Sequence, residues 1–565
     1  MTGVTGGNPG ALAWRPRHTA AIGLIVLLAL VLLVPFRGYL TDDTFIHLQF
    51  AKHLLRGEGF SFNAGEPTYG ATSPLWVLLV AGGGALVPGA AATPADAGAM
   101  PPLALVAKAW GALFTALAVA LVAALGRALL WEPRVALSAA ALLALHAWSA
   151  RWAISGMETP LALALAVASL FLLARALIDG KNSFAAGLAL GAGVLVRPEF
   201  LLLLLLACAA VAWQSSTRVR ARRLAALLAG AALAAGPWLA AAWLWFQRLL
   251  PNTGGAKAAT WLDPERAAAA LRDSIRIVLA ADLVPLAAAV LALAWLKPWR
   301  AMGAERGRRA FWMVILAWPV LLVLSYAAGG VQVVSRYLVP AAPSILLIGL
   351  AAIRHASAAW PVRRRAAALA AALVLFAMQN VAVTLAVSAP HARRHTAGLR
   401  DSLAWLGLWA RGRTAPGTLV AIPDIGAFGY YSDRPVLDLY GLVTPKMAPI
   451  TVRSGYDAVV VNALFEPVGR PRYLIDRSTR EARLSPPGDP SSPYRFLFSR
   501  SIPDLGITRP TPYIYSVYAI DWGVYDRLHP RTAEGGHQRL KGSPGWSTIN
   551  GEAEGGSRVS LQNHN

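Results

Sequence analysis

Eleven apolar segments punctuate the chain, at 20–36, 103–126, 134–149, 158–177, 183–196, 198–215, 224–246, 275–296, 310–329, 336–353 and 366–387. Most lie near the roughly 17–25 residues a helix needs to cross the hydrocarbon core. In lipid every backbone N–H and C=O must be paired within the protein, so segments of this kind specify a helical bundle. Composition agrees. Charged residues make up 14% and hydrophobic residues 56%, against about 25% charged in a soluble domain. An ordinary soluble globule and a disordered chain are both excluded. The single cysteine, Cys208, lies inside the run LLLLLLACAAVAW. It excludes an internal disulfide and any cysteine-based metal cluster.

The net charge of +23 invites a nucleic-acid reading. Its distribution argues otherwise. Three clusters stand out: Arg218, Arg220, Arg222 and Arg223; Lys297, Arg300, Arg306, Arg308 and Arg309; Arg354, Arg363, Arg364 and Arg365. Each occupies a short link, and two spans separate one link from the next, so all three fall on one side. Short basic loops face the cytoplasm. These 13 of 52 basic residues are an orientation signal facing anionic lipid, and no nucleic-acid partner is expected. Arg15 and Arg17 precede the first span, and FRGYLTDD follows it without a small-residue cleavage site, which reads as an uncleaved anchor. The expected location is the cytoplasmic (inner) membrane, multi-pass, with the N-terminus inside. The Gly-rich segment 75–90 must then be re-entrant or interfacial to keep the count consistent. Residues 183–215, interrupted at Arg197-Pro198, read as a broken helical hairpin.

The fold class expected is a multi-span α-helical membrane protein of about eleven transmembrane helices with a C-terminal extracytoplasmic α/β domain. Residues 1–387 form the membrane part, with a first outer loop at 37–102. Residues 388–530 form the outer domain, where TLVAIP, DAVVVNALF and YIYSVYAI read as strands. The polar, Gly-rich stretch 531–565 reads as a disordered tail.

The topology places Asp42, Asp43, His47, His53, Arg151, Glu158, Arg197, Glu199, Lys257 and Arg336 on the outer face. Ionisable groups at membrane level are costly unless they serve a cavity or a partner, so their gathering from separate segments points to one polar cavity. Asp42 and Asp43 directly follow the first span. Thr41 or Asp42 can cap a helix, and Ile46, Phe50 and Leu54 recur at four-residue spacing, ending at Gly57. This predicts a short amphipathic helix in the outer interface, with Asp43 and His47 on one face. Capping and base catalysis both remain open for the aspartates. Asn63-Ala64-Gly65 reads as a turn and Ser73-Pro74 as a helix restart. Glu158 in SGMETP can favour a helix dipole or pair with Arg151. Arg197 and Glu199 in LVRPEF can bridge each other, Arg336 in SRYLVP can snorkel, and Lys257 in PNTGGAKA can be solvated. Gly187 and Gly191 fit close helix packing. The chain carries no P-loop, HExxH, GxSxG or zinc spacing.

The order of these features, an anchor span, an Asp-Asp outer loop, a bundle and an outer domain, resembles the GT-C superfamily of integral membrane glycosyltransferases. The strings DDTFIHLQFAKHLLRGEGFSFNAGEPTYGATSPLW, SGMETPL, LVRPEF, LPNTGGAKA and DIGAFGYYSDRPVLDLYGLVTP are similar to relatives of the mycobacterial terminal β-arabinofuranosyltransferase. The resemblance implies transfer of a sugar, arabinofuranose or another, from a polyprenyl-phosphate donor to an extracytoplasmic glycan, lipid or protein, with inversion. It maps the signature acid to Asp42 or Asp43, one acting as base and the other supporting it. Arg197, Lys257 and Arg336 are the implied donor-phosphate ligands, with His47, His53, Glu158 and Glu199 lining the cavity. A divalent cation (Mg, Mn or Ca) at Asp42 or Asp43 is the alternative countercharge. Asp424, Tyr430, Asp433 and Asp438 match the family's outer-domain pattern. Mannose and aminoarabinose transfer remain alternatives, as do a secondary transporter and a non-catalytic membrane protein. The one-sided charges and the absence of visible repeat halves argue against a transporter.

Overall fold

The computed structural model describes residues 15–129, 131–214, 216–252, 263–295, 305–485, 492–507 and 511–530. Lys257, Lys297, Arg300 and the expected tail 531–565 lie outside the described residues. The chain is a multi-span membrane protein. Among the described residues, eight helices are long and apolar enough to cross a membrane, and four shorter apolar helices accompany them. The eleven apolar segments of the sequence correspond to the eight long helices and three of the short ones, at Pro133–Leu145, Ser183–Val194 and Phe200–Gln214. The fourth short helix, Pro74–Gly84, is the segment expected not to cross. Its 11 residues extend only about 17 Å.

In chain order the membrane part comprises α1 (Pro16–Val31), α2 (Asp42–Leu55), α3 (Pro74–Gly84), α4 (Pro102–Ala128), α5 (Pro133–Leu145), α6 (Ala147–Ala153), α7 (Thr159–Ile178), α8 (Ser183–Val194), α9 (Phe200–Gln214), α10 (Thr217–Phe246), α11 (Pro264–Trp295), α12 (Arg306–Ala328), α13 (Ser335–Leu338), α14 (Ala342–Ala356) and α15 (Val362–Val383). Helices α8 and α9 are separate because Pro198 supplies no N–H and forces the chain out of the helix. Gly187 and Gly191 let α8 lie directly on α10. A β-carbon on Gly187 would sit 1.9 Å from the Leu227 carbonyl oxygen. Helix α11 breaks at Asp282 (φ −119°), ahead of Pro285. The side-chain amides of Gln379 and Asn380 on α15 pair the carbonyls freed there, those of Leu279, Ala280 and Ala281. The described basic clusters share one end of the bundle. Arg223 donates to Gln214 at the end of α9, and Arg308 to the Leu129 carbonyl at the end of α4.

At the opposite end, α15 does not stop. It runs on through α16 (Ala389–Leu399) and α17 (Trp405–Arg413) by way of two π-helical turns, Thr384–Ser388 and Arg400–Ala404. The continuous 52-residue helix is about 78 Å long, far more than the hydrocarbon thickness of about 30 Å. Its far half is the stalk of a sheet domain. That domain contains β1 (Val420–Ile422), α18 (Gly426–Ser432), β2 (Val436–Asp438), α19 (Ala448–Ser454), α20 (Tyr456–Val461), β3 (Tyr473–Ser478), β4 (Tyr494–Ile502), β5 (Tyr513–Ile520) and α21 (Trp522–Leu528). The sheet order is β2-β1-β3-β5-β4. Strand β1 pairs in parallel with β2 and β3, while β3–β5 and β5–β4 are antiparallel. TLVAIP and YIYSVYAI supply β1 and β5 as expected. The run DAVVVNALF does not form a strand; it folds as α20 and a following turn. Val459 and Val460 are fully buried there beside Leu437 and Leu474, and this packing overrides the β-branched preference.

Candidate active site

Helix α2 sets the geometry of the site. Thr41 is its N-cap, accepting from the Thr44 N–H, so neither aspartate caps it. Contrary to the interfacial helix expected, every residue from Thr44 to His53 is buried. The sheet domain covers α2: a β-carbon on Gly426 of α18 would fall 1.9 Å from the Asp42 carbonyl oxygen. The preceding linker is tied down as well. Lys108, buried in α4, donates to the carbonyls of Tyr39 and Ile154 at 2.8 and 2.6 Å. Thr44 Oγ1 donates to the Ser155 carbonyl at 2.9 Å, and Trp76 Nε1 to that of Gly156 at 3.0 Å. These bonds fasten the SGMETP turn against α2.

The two aspartates part company here. Asp42 faces the sheet domain and accepts the N–H groups of Ala427 at 2.7 Å and Gly426 at 3.0 Å. Burial and the charge of Asp424 push it up to about 7, against the pull of those two amides. Asp43, one residue on and about 100° round the helix, faces the bundle. Its Oδ2 accepts from Arg336 Nη2 at 2.5 Å, and its side chain remains 48% exposed.

His47, one turn further along α2, is buried, and its Nδ1 has no hydrogen-bond partner. Burial lowers its pKa, while the charges of Glu158 and Asp43 act in the opposite sense. Glu158 accepts from Arg197 Nη2 at 2.5 Å. Both Arg197 and Arg336 lie over the ring of Tyr337, at 5.5 and 5.3 Å from its centroid, and Arg336 also faces Trp152. Glu199 accepts from the Tyr326 hydroxyl at 2.8 Å. Four separate segments thus bring Asp43, His47, Glu158, Arg197, Glu199 and Arg336 together. Neither local salt bridge considered from the sequence forms. Arg197 pairs with Glu158 instead of Glu199. Arg151 turns away to the Tyr39 hydroxyl, the Ser388 carbonyl and His391 Nδ1.

His53 does not join this group. It lies ten residues beyond Asp43, about 280° round the helix, and contacts Gln49, Glu58 and the Ser61 carbonyl. Burial, with the charge of Lys52, lowers it to about 4. The outer-domain motif residues also lie elsewhere. Asp433 binds Lys52 at 3.0 Å, Arg56 at 3.2 Å and Thr93 at 2.9 Å. The carbonyl of Tyr430 accepts from Lys52 at 2.8 Å, and its ring lies 4.4 Å from the same ammonium. Asp424 accepts from Arg477 Nη1 at both oxygens, 2.8 and 2.9 Å, and from the hydroxyl of Tyr515. Asp438 accepts the N–H groups of Tyr440 and Val443, and burial raises it to about 6. These four hold the sheet domain together and lock it onto α2. Sequence reasoning missed Tyr326, Tyr337, Trp152 and Lys108. Lys108 had a readable signal, being an ionisable residue inside an apolar segment. The aromatics had none beyond proximity to Arg336.

At the Asp pair, the two Asp42 oxygens accept backbone amides and Asp43 Oδ2 accepts from Arg336. A tighter cluster of potential ligands among the described residues is His391, His395 and Asp504. His391 Nε2 lies 2.7 Å from Asp504 Oδ1, but Arg151 donates to its Nδ1 at 2.8 Å. That donor places the ring proton on Nε2 and leaves no lone pair there for a metal. The group instead forms a polar tie from α6 through the stalk to the end of β4.

A family model described as a domain of unknown function (DUF8728) matches residues 392–518, the stalk and most of the sheet domain. No curated protein matches the chain. Among solved structures, ArnT from Cupriavidus metallidurans bound to undecaprenyl phosphate aligns with a TM-score of 0.53 at 14% identity, covering 88% of this chain and 98% of that one. The archaeal oligosaccharyltransferase AglB from Archaeoglobus fulgidus, in complex with an inhibitory peptide and a dolichol-phosphate, also gives 0.53 at 14% identity, covering 81% and 69%. The chain shares their fold. The multi-span helical bundle with an appended sheet domain expected from the sequence is thereby present. At such identity the likeness concerns the fold alone.

Proposed function

We propose that the protein is a membrane glycosyltransferase that moves a sugar from a polyprenyl-phosphate donor to an acceptor hydroxyl on a glycan, lipid or protein. The supporting observation is the Asp43–Arg336 pair, with Arg197 also over the Tyr337 ring that Arg336 contacts. A half-exposed carboxylate next to two guanidiniums is what a base and a phosphate-binding group require of one pocket. The fold shared with proteins whose structures contain undecaprenyl phosphate or dolichol-phosphate gives the same reading independent support.

In this reading Asp43 takes the acceptor's hydroxyl proton as its oxygen forms a bond to the anomeric carbon. The bond from that carbon to the phosphate oxygen breaks, and the polyprenyl phosphate leaves with the electron pair. Its growing negative charge is met by Arg336 and Arg197, and attack opposite the leaving group inverts the anomeric centre. Arg336 has two roles. It holds Asp43 by their direct contact, and it offers the same guanidinium to the donor phosphate. Asp42 acts as a positioning residue, fixing the start of α2 against the sheet domain. Lys257, outside the described residues, remains a third candidate phosphate ligand, and the site is taken to face the outside of the cytoplasmic membrane.

The test is to incubate purified protein with polyprenyl-phosphate arabinofuranose, mannose and aminoarabinose and measure donor consumption. One donor should be consumed by wild type and by none of the Asp43→Asn preparations. Equal turnover by wild type and Asp43→Asn would remove Asp43 from the chemistry. Movement of an intact donor across the bilayer without cleavage would favour the transporter reading.

A further inference from the structure

Apart from the Asp43 cluster, a cavity of about 530 Å³ opens where the end of α1 meets the stalk. Arg37, Arg393 and Arg400 line it, above Val34 and Pro35 and beside Tyr39. Arg400 is held by a bidentate contact with Asp401 at 2.7 and 3.1 Å. Arg37 and Arg393 are exposed, and no carboxylate partner engages them among the described residues. Two cations therefore share one pocket with nothing to balance them.

The surface leading to this pocket is apolar. Helices α1 and α15 both pack against α5. Leu24, Leu28 and Val31 form an exposed stripe along α1, and Val374, Met378 and Leu385 form another along α15 and its first π-helical turn. Both stripes rise towards the arginines. Exposed apolar helix faces that lead to guanidiniums at the end of a membrane span match one chemistry, an amphiphile with an anionic phosphate headgroup. A zwitterionic headgroup carries its own cation and gains less from the pair, and a free phosphate makes no use of the apolar faces. The site is separate from Arg197 and Arg336, which lie across the buried Tyr39–Arg151–His391 contacts.

We propose that this pocket binds the phosphate headgroup of an anionic phospholipid from the leaflet on the sheet-domain side, its chains lying along the exposed apolar faces of α1 and α15. Native mass spectrometry of the delipidated full-length protein in detergent provides the test, with phosphatidylglycerol and phosphatidylcholine as probes. The expected result is a phosphatidylglycerol adduct that tolerates tenfold lower lipid concentration than the phosphatidylcholine adduct. The double substitution Arg37→Ala/Arg393→Ala should weaken it about tenfold or more, given the usual gain per basic residue near anionic lipid. The control Arg453→Ala/Arg495→Ala removes the same charge from exposed sheet-domain positions and should leave the adduct unchanged. Millimolar inorganic phosphate should compete only weakly; full displacement by phosphate alone would show an anion site with no role for the apolar faces and overturn the lipid assignment. Equal binding of the two lipids, or equal loss in both double variants, would also overturn it.

Discussion

Asp42 and Asp43 are neighbours in sequence with opposite surroundings, and each predicts a different behaviour. Asp43→Asn keeps the shape of the Arg336 contact but removes the base. Transfer should fall by about 10²–10⁴-fold with an unchanged melting temperature, read by a donor-consumption assay beside a thermal melt. Asp42→Ala leaves the Gly426 and Ala427 N–H groups without acceptors and should cost about 1–3 kcal/mol of stability, seen as a lowered melting temperature. Asp42 also carries a pH signature. Its pKa is about 7 in the folded protein, against an ordinary 3.8. The folded state thus holds this proton where the unfolded state has released it, so the contribution to stability is fullest below about 4 and is lost as pH rises towards 7. Melting temperature should fall across that window, and Asp42→Asn should flatten the fall. A wild-type profile that rises there would refute the assignment. The sequence identified this pair as chemically important, but its two members differ only in what lies opposite them, which local spacing does not encode.

At the level of elements, the critical joint is α2 against α18. A β-carbon on Gly426 would come as close to the Asp42 carbonyl oxygen as one on Gly187 to that of Leu227, 1.9 Å in each case, and neither position tolerates a side chain. Gly426→Ala should push α18 off α2, costing about 1–3 kcal/mol by overpacking and displacing Asp43 enough to lower transfer. Gly412→Ala, on the stalk with open space around it, should be neutral or slightly stabilising. A Gly426→Ala protein with native melting temperature and activity would mean that the domain contact is not needed. The helical periodicity of α2 was readable from Ile46, Phe50 and Leu54. Its full burial was not, because the element that covers it begins more than 370 residues later. The same dependence on a distant layer turned DAVVVNALF from an expected strand into α20.

For the whole molecule, the arrangement of charge predicts sidedness. The described arginine clusters sit at one end of the bundle and the sheet domain at the other, so the two ends should occupy opposite compartments. Cysteine labelling tests this directly, since the native Cys208 is only partly accessible. A membrane-impermeant maleimide should label the Arg453→Cys variant in intact cells. The Arg222→Cys variant should react only after permeabilisation. Labelling of both in intact cells would contradict the orientation.

The sequence by itself determined the number of the apolar helices, the break at Arg197-Pro198 and the division of charge between the loops. These follow from local properties: hydrophobic length, proline geometry and the placement of arginine. Only the tertiary structure decided that Arg197 pairs with Glu158, that Arg336 meets Asp43 and that Asp42 belongs to the sheet domain. Each of those contacts joins residues far apart in the chain. Its strength depends on burial and on the direction a side chain takes from its helix, and both are set by packing.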